Sequence, residues 1–211
     1  YHALKKGIPV LPIFIFDKNI LNKLEDKNDA RVEFIYTTIL KLNEQLKELD
    51  SSIKVFYSSC EKVFKDLLKE YSVDAVYTNH DYEPYANERD AEIKSLFIKQ
   101  GVDFKTYKDQ CIFEKDEVVK DDGKPYTVFT PYSRKWKLRL TDFHVKSYPN
   151  KKYFKHFIKT KLFTVPTLQE MGFKVSGIQI PPTTISKSIV TKYKEQRDFP
   201  AINGTSRLSV H

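Results

Sequence analysis

Short apolar runs alternate with segments of helical period over roughly the first 110 residues. The run 10–16 is almost continuously apolar, as expected for a strand buried on both faces, and Pro12 places the start of the strand just after it. Three more strand candidates follow at 53–57, 75–79 and 103–107. This alternation predicts βαβ units and a Rossmann-like, doubly wound parallel sheet with helices on both faces.

Helical patterns separate these strands. Asp29 is a candidate N-cap for a helix whose apolar residues are expected to line one face: Ile35, Ile39, Leu42, Leu46 and Leu49. A second apolar stripe comprises Val63, Phe64, Leu67, Leu68 and Tyr71. Pro84 suits the first turn of a third helix, which is expected to stop at Gly101. A helical fragment at 3–6 comes before the first of these strands, which predicts a further strand upstream of it.

The alternation ends after Asp109. A turn at 121–125 and a short helix from Pro131 to Leu140 precede about 45 residues without any period, and helical character returns near 187–197. A stretch this long without a period is uncommon inside a compact domain. The sequence therefore predicts an α/β domain at 1–140, an interdomain linker at 141–185 and the start of an all-α domain at 186–211.

The positive charge of the chain is concentrated in one segment. The net charge is +8, and residues 134–161 carry ten Lys and Arg side chains against the single acid Asp142. Such a segment suits a polyanion such as DNA, and it equally suits a solvated linker kept soluble by its lysines. The residues by themselves leave both interpretations open.

Composition and motifs exclude several other classes. No stretch approaches the roughly 18 apolar residues of a membrane span, and residues 1–6 do not resemble a signal peptide. Cys60 and Cys111 match no metal-ligand spacing and are expected to be reduced thiols of a cytosolic protein. Phosphate-binding loops, dinucleotide fingerprints, serine-hydrolase elbows and zinc-protease motifs are all absent. We therefore assign no metal ligand and no catalytic residue.

Two segments stand out as candidate binding sites. Asn79–Asp90 follows a predicted strand and opens a helix, so its amide and carboxylate groups are expected at the ligand-binding edge of the sheet. The segment 197–209 contains Gly204, Thr205 and Ser206 at a predicted helix start, where hydroxyls and free N–H groups can hold a phosphate. The alternative for Asn79–Asp90 is that its acidic side chains only offset the dipole of the helix that follows. The alternative for 197–209 is that its hydroxyls only cap a helix.

Three blocks of residues resemble the photolyase/cryptochrome family in order and spacing. They are Asp81-Tyr82-Glu83-Pro84-Tyr85-Ala86-x-x-Arg89-Asp90, then Lys124-Pro125-Tyr126-x-Val128-Phe129-Thr130-Pro131-Tyr132, then Arg197-Asp198-Phe199-Pro200 with Gly204-Thr205-Ser206-Arg207-Leu208-Ser209. The resemblance covers essentially the whole chain and is strongest to cyclobutane pyrimidine dimer photolyases. It implies an α/β antenna domain, a long connection and a helical domain that binds FAD.

The resemblance also implies roles for individual residues. Asn87 and Glu88 match the pair that binds the pterin of methenyltetrahydrofolate in folate-type members, whereas other members use a flavin or a deazaflavin in a different pocket. Tyr193 and the stretch Thr205-Ser206-Arg207-Leu208-Ser209 match the first FAD-contacting part of the helical domain, although Val210 departs from the Pro often found there. Family members begin with a strand carrying a Trp-Phe-Arg-Arg-Asp-Leu-Arg-type motif, which is central in a 3-2-1-4-5 sheet. A gap is therefore expected between the strands at 10–16 and 75–79.

The activity implied by the resemblance is light-driven DNA repair. An antenna pigment passes excitation energy to reduced FAD, whose electron splits a pyrimidine dimer flipped out of damaged DNA. We expect a cytoplasmic monomer that does not contact membranes, and we expect this chain by itself to lack the catalytic core. The alternatives are a cryptochrome blue-light receptor and a non-catalytic pigment- or nucleotide-binding module.

Overall fold

A computed structural model describes residues 1–177, 184 and 186–201. The helices are α1 (His2–Lys5), α2 (Lys18–Leu21), α3 (Ala30–Lys47), α4 (Cys60–Glu70), α5 (Pro84–Lys99), α6 (Phe129–Arg139), α7 (Asp142–Val145) and α8 (Lys187–Gln196). The strands are β1 (Ile13–Asp17), β2 (Lys54–Ser58), β3 (Ala75–Asn79) and β4 (Asp103–Tyr107). Short 3₁₀ helices lie at Lys115–Glu117 and Asn150–His156.

All of the strands pair in parallel, as the alternating pattern predicts. β1 pairs with β2 from Ile13 opposite Lys54 to Asp17 opposite Ser58, and β3 pairs with β4 from Ala75 opposite Asp103 to Asn79 opposite Tyr107. Side chains of β1 alternate between two layers, because Phe14 and Phe16 contact the cluster around α3 while Ile15 contacts the cluster around α4 and α5. The predicted α/β class is therefore confirmed.

The expected gap in the sheet is present. Among the described residues, β1–β2 and β3–β4 form two separate two-stranded sheets. A cleft of about 760 Å³ lies between β1 and β3 and is lined by residues of both strands, including Ile13, Phe14, Val76 and Tyr77. The sheet is thus divided between β1 and β3, as the resemblance to the photolyase/cryptochrome family implied.

The buried face of α3 differs from the predicted one. Asp29 caps the helix as expected, because its Oδ1 accepts a hydrogen bond of 2.8 Å from Arg31 N. Ile39 is buried and Leu46 packs against the same core, as predicted. However, Ile35 and Leu42 are exposed, and the helix also buries Val32 and Asn43. The buried face of the helix is rotated by about one residue from the predicted face, because the prediction used apolar residues only and Asn43 is polar.

Asn43 is buried because it binds the start of β2. Its Oδ1 accepts hydrogen bonds of 2.9 Å from both Ile53 N and Ser52 Oγ. A buried amide paired in this way avoids the cost of an unsatisfied polar group. Ser52 Oγ in turn accepts a bond of 3.0 Å from Phe163 N, so this polar contact also holds the segment that follows the α/β unit.

Residues 157–176 pack along the α/β core. Phe157 forms a parallel bridge with Val10, and Thr160 N donates to Asp50 O at 3.0 Å. Leu168, Met171 and Phe173 are buried in the same cluster as Phe16, Val32 and Ile39. This part of the predicted linker lies on the α/β core, while the domain limits at residues 140 and 185 remain predictions.

The remaining helices match the sequence patterns within a few residues. α5 begins at Pro84 and is followed by Gly101 with a φ of 70°, a conformation that favours glycine after a helix. α6 begins at Phe129, two residues before the predicted start at Pro131, and α8 matches the helical pattern near 187–197. None of the helices within the described ranges is long and apolar enough to cross a membrane.

Replacing Phe173 with Ala is expected to destabilise the chain strongly. Phe173 is 2% exposed in the core, so its truncation should lower the free energy of unfolding by about 3–5 kcal/mol. Urea denaturation of the 211-residue chain measures this change. Val175→Ala is the matched control, because Val175 is 66% exposed and its truncation should cost far less. Equal effects of the two variants would show that this segment does not pack on the core in solution.

Candidate functional site at the carboxyl ends of the strands

The carboxyl ends of β1 and β3 lie at the same edge of the molecule. β1 ends at Asp17, and α5 begins at Pro84 shortly after β3 ends at Asn79. A direct hydrogen bond between Asp17 and Tyr85 shows that the two ends are adjacent. α4 also begins here, with Cys60 in its first turn. Ligands bind at this edge in open parallel sheets, because the loops and helix N-termini meet there.

Asp17 is the centre of this edge. Its side chain is buried, with the residue 5% exposed, and it accepts hydrogen bonds from three groups. Tyr85 Oη donates to Oδ2 at 2.5 Å, Asn19 N donates to Oδ1 at 2.9 Å, and Cys60 Sγ donates to Oδ2 at 3.4 Å. One carboxylate thereby caps α2 and links β1 to both α4 and α5.

The environment of Asp17 keeps its two side-chain donors protonated. Burial, followed by the neighbouring Asp17 carboxylate, raises the pKa of the Cys60 thiol to about 12. Burial and the hydrogen bond to Asp17 raise the pKa of Tyr85 to about 12. Both groups are therefore neutral hydrogen-bond donors at physiological pH and are poor nucleophiles.

Arg89 and Asp90 connect this edge to the cleft. Arg89 Nε lies 2.9 Å from Asp90 Oδ1, and the guanidinium lies 5.9 Å from the centre of the Tyr85 ring. Both Arg89 and Asp90 line the cleft between β1 and β3. The carboxyl end of the cleft therefore carries an arginine–aspartate pair next to the Asp17 cluster.

The loop that leads into α5 is organised by its own polar side chains. Asp81 Oδ1 accepts from Tyr82 N at 2.6 Å and from Glu83 N at 3.2 Å. Asn87 Nδ2 donates back to Tyr82 O at 3.0 Å and to Glu83 O at 3.2 Å. The amide nitrogen of Asn87 is thus used within the protein, and no donor among the described residues binds its side-chain oxygen.

The two predicted pigment-binding residues lie on the exposed side of α5. Asn87 and Glu88 are both exposed, whereas Arg89 and Asp90, the next residues, are half-buried. Glu88 forms no ion pair or hydrogen bond with any side chain that the structure describes. Both residues carry exposed side-chain oxygens that can accept hydrogen bonds from the N–H donors of a heterocycle.

A second polar contact ties the same loop to the segment after β4. His80 Nε2 lies 3.2 Å from Glu114 Oε1, and the Glu114 side chain is only 9% exposed. The angles at this contact do not make it a well-formed hydrogen bond. Partial desolvation, followed by the Glu114 carboxylate, raises the pKa of Tyr82 above its usual range. The loop at 80–83 thus lies next to the segment that follows β4.

The predicted FAD-contacting residues are only partly within the described structure. Tyr193 lies on α8, is 42% exposed, and has the Arg197 guanidinium 6.0 Å from its ring centre. Thr205, Ser206, Arg207, Leu208 and Ser209 lie outside the described residues. The FAD assignment therefore stays a prediction from the sequence.

Most Lys and Arg side chains of the basic segment 134–161 have no acidic partner among the described residues. Lys135 pairs with Asp121 at 2.8 Å, Lys159 lies 3.7 Å from an Asp50 oxygen, and Arg139 donates to Glu117 O. The other cations of this segment form no ion pair within the described part of the chain: Arg134, Lys137, Lys146, Lys151, Lys152, Lys155 and Lys161. Within the described residues no group of His, Cys, Asp or Glu side chains is arranged to hold a metal ion.

Sequence reasoning missed the importance of Asp17 and Tyr85. An acid at the carboxyl end of a predicted strand is a usable signal, because that edge collects ligand-binding and capping groups. Tyr85 lay within the motif 79–90, but its partner is 68 residues away and no periodicity links the two. Their contact is a property of the tertiary structure.

Comparison with known protein families shows which family the chain belongs to. The family model described as DNA photolyase matches residues 1–151, which is more than half of the chain. The chain belongs to the DNA photolyase family. The fold observed above, with parallel strands, covering helices and a site at the carboxyl edge, agrees with this assignment.

Several curated relatives are named deoxyribodipyrimidine photo-lyase. The chain is 28% identical over 194 residues to the deoxyribodipyrimidine photo-lyase of Alkalihalophilus pseudofirmus, covering 84% of this chain and 40% of that protein. It is 24% identical over 223 residues to the Synechococcus enzyme of the same name, covering 98% of this chain and 46% of that protein. This photolyase-family chain thus spans less than half the length of these curated relatives.

Solved structures agree with the family. An archaeal photolyase from Sulfolobus tokodaii, described with two FAD molecules, is 30% identical with a TM-score of 0.51 over 56% of this chain and 27% of that one. A class III photolyase from Agrobacterium tumefaciens has a TM-score of 0.65 over 92% of this chain and 37% of that one. Since its identity is 18%, the second comparison shows the fold alone.

The two thiols are expected to react with alkylating agents at very different rates. Cys111 is exposed, whereas Cys60 is buried with a pKa of about 12, so little of it is thiolate near neutral pH. With iodoacetamide at mildly alkaline pH, Cys111 should be modified at least about tenfold faster than Cys60. Peptide mass spectrometry over time measures both rates, with the urea-unfolded chain as the control in which the rates converge. Equal rates in the folded chain would contradict the buried Asp17–Cys60 contact.

Proposed function

We propose that this chain is the antenna-pigment-binding part of a deoxyribodipyrimidine photo-lyase, a light-driven DNA repair flavoenzyme. The observation that carries the proposal is the photolyase family match over residues 1–151 together with photolyase relatives that align across 84% and 98% of the chain. The α/β fold with a ligand-competent carboxyl edge supports it. In this function the chain collects light, and the repair chemistry takes place elsewhere in the full-length protein.

The antenna pigment is assigned to the edge that carries Asn87 and Glu88. Their exposed acceptor oxygens suit the ring N–H and amino donors of methenyltetrahydrofolate, which is our first choice of pigment. A flavin or deazaflavin is the second choice, and the two FAD molecules described for the Sulfolobus tokodaii photolyase support a flavin in this family. The Arg89–Asp90 pair, which lines the cleft, is then a candidate for contacts to the alternative pigment.

FAD is the proposed catalytic cofactor of the full-length protein. When bound and reduced, it supplies the electron that opens a pyrimidine dimer. Of this chain, Tyr193 and the stretch Thr205–Ser209 are proposed to contact FAD, with the two hydroxyls and nearby N–H groups holding a phosphate. The residues needed to enclose the cofactor are not assigned to this chain.

Damaged DNA is the proposed partner. The cations of the segment 134–161 that have no acidic partner in the described structure can attract the phosphate backbone without reading sequence. Exposed apolar side chains such as Leu138 and Phe143 occur on the same stretch of chain. The full-length protein is proposed to act as a cytoplasmic monomer away from membranes.

A cryptochrome blue-light receptor is the second candidate function. Cryptochrome-1 of Erithacus rubecula is 27% identical over 158 residues, covering 70% of this chain and 25% of that protein. Photolyase relatives cover more of this chain, which favours repair. Lesion-dependent repair in the light by the full-length protein separates the two, because a receptor without repair activity leaves the dimers intact. A non-catalytic pigment module is disfavoured because it would not need the stretch Thr205–Ser209.

Replacing Glu88 with Gln in the full-length protein is expected to weaken the binding of methenyltetrahydrofolate by about tenfold or more. Loss of a charged acceptor removes about 1.5–3 kcal/mol of hydrogen-bond energy. Absorption spectra recorded during titration with the folate measure the affinity, and Glu92→Gln on the same helix is the matched control. Repair driven by direct excitation of the flavin should persist. Unchanged folate binding with retained flavin bands would place the pigment elsewhere while keeping the family, and a protein without flavin would overturn the proposed function.

Neutralising three lysines that have no acidic partner in the described structure should weaken DNA binding and reduce its salt dependence. In the full-length protein, Lys151→Gln, Lys152→Gln and Lys155→Gln together should lower the slope of log affinity against log salt by about one per lost phosphate contact. Fluorescence anisotropy with undamaged and dimer-containing DNA measures this, and both DNAs should be affected equally. Lys62→Gln, Lys65→Gln and Lys69→Gln on α4 are the control. An unchanged slope would assign these lysines to a solvated linker.

A further inference from the structure

Aromatic rings from three separate parts of the chain meet on one side of the molecule. They are Tyr1 and His2 of the α1 region, Tyr107 at the end of β4, and Tyr148 and Tyr153 in the segment after α7, here named the aromatic cluster. The His2 ring stacks on the Tyr107 ring with centres 4.1 Å apart. The Tyr1 ring centre lies 4.8 Å from that of Tyr148 and 5.7 Å from that of Tyr153. The cluster therefore joins β4 and α1 to the segment that follows α7.

The 3₁₀ helix Asn150–His156 turns one column of side chains toward this cluster. Residues three apart lie above one another in a 3₁₀ helix. Tyr153 and His156 share the column that contacts α1 and the residue before it. Lys152 and Lys155 share another column, about 6 Å apart along the axis, and both are exposed. The helix thus places two cations beside the rings and directs them to solvent.

The surface around Tyr148 and Tyr153 is positively charged. Residues 146–156 contain four lysines and no acid. All four are exposed, and none forms an ion pair within the described part of the chain: Lys146, Lys151, Lys152 and Lys155. Lys5 Nζ adds a further positive charge 5.5 Å from the centre of the Tyr1 ring. A polyanion would therefore meet several cations here that have no acidic side chain to displace.

Two acidic side chains near the cluster are already paired. Asp74 lies 2.8 Å from Lys6 Nζ, and Asp103 lies 3.0 Å from Lys105 Nζ. The ammonium group of Lys105 also lies 5.8 Å from the ring centre of Tyr77, which in turn stacks beside Tyr107. These acids therefore offset little of the positive charge next to the rings.

The Tyr148 ring is exposed and yet held in position. It is 57% exposed, although its centre lies 4.8 Å from the Tyr1 ring and 6.0 Å from the His2 ring. The backbone turns tightly just after it, because Asn150 N donates to Tyr148 O at 2.8 Å and Pro149 has a φ of −78° and a ψ of 59°. These values are those of an inverse γ-turn. A ring fixed in this way loses little conformational freedom when a flat partner stacks on it.

These features match a single strand of nucleic acid. Surfaces that bind single strands combine cations for the phosphates with aromatic rings on which bases stack. The bases of a duplex are stacked on one another and cannot cover a protein ring, whereas a single strand exposes the faces of its bases. An acidic peptide could bind the lysines but offers no comparable flat surface to Tyr148.

We propose that the aromatic cluster and the lysines of 146–155 bind single-stranded DNA, with a base stacked on the Tyr148 ring and phosphates beside Lys152 and Lys155. The binding requires no damaged base, because neither the ring nor the cations distinguish one base from another. The inference rests on the proposed DNA-binding function of the segment 134–161. It adds a preference for unpaired strands, which the cations alone cannot provide.

The test separates stacking from charge by changing one ring. In the full-length protein, kept in the dark, Tyr148→Leu should weaken binding of a fluorescein-labelled, undamaged thymidine oligomer of about 12 nucleotides by about tenfold. Tyr148→Phe keeps the ring and should bind the oligomer as the parent protein does. Binding of an undamaged duplex depends on the lysines and should be unchanged in both variants, which also controls for folding. Fluorescence anisotropy measures all of these affinities.

Three results would overturn the proposal. Unchanged binding of the oligomer by Tyr148→Leu would show that no base stacks on this ring. Equal losses for oligomer and duplex would show that Tyr148 only holds the lysines in place. Competition by poly-glutamate as strong as that by unlabelled oligomer would assign the surface to acidic proteins.

Flavin absorption and light-driven repair of dimers in duplex DNA test the proposed function separately. Both should persist in Tyr148→Leu, because the lysines that attract the duplex are intact. A full-length protein without flavin or repair that still binds the oligomer through Tyr148 would support this surface and overturn the proposed function. A protein that repairs dimers but binds the oligomer independently of Tyr148 would do the reverse.

Discussion

The division of the parallel sheet into two pairs of strands is the constraint on which the rest of this structure depends. Parallel strands cannot be joined by tight hairpins, so every connection here passes through a helix or a long segment. β2 connects to β3 through α4, which therefore spans the position between the two pairs. Tyr85 and Asp17 provide the direct side-chain contact between them at the carboxyl edge.

The same edge explains which groups are chemically available. Asp17 accepts hydrogen bonds from three donors, and burial keeps Cys60 and Tyr85 protonated, so this cluster is structural in character. Within the described residues, the side-chain oxygens of Asn87 and Glu88 near the start of α5 are exposed and accept no hydrogen bond.

The segment that follows the α/β unit is more than a connection. Asn43, Ser52 and Phe163 form a chain of buried hydrogen bonds that fixes it to the start of β2. Ser176 N donates to Glu33 Oε2 at 2.7 Å near the other end of the segment. Leu168, Met171 and Phe173 then complete the core on the α3 side. Because α3 buries only part of its surface against the strands, this segment supplies apolar contacts that a two-stranded pair alone cannot provide.

The amino-acid sequence by itself determined the α/β class, the positions of the four strands and the family, because these depend on local periodicity, turn residues and short motifs. It also predicted the gap between β1 and β3 through its resemblance to the family. Only the tertiary structure decided that Asn43 replaces an apolar residue on the buried face of α3, that residues 157–176 join the core, and that Asp17 meets Tyr85. Each of these depends on a contact between residues far apart in the chain or on a polar group whose burial is compensated by a partner. Neither leaves a periodic signal along the sequence.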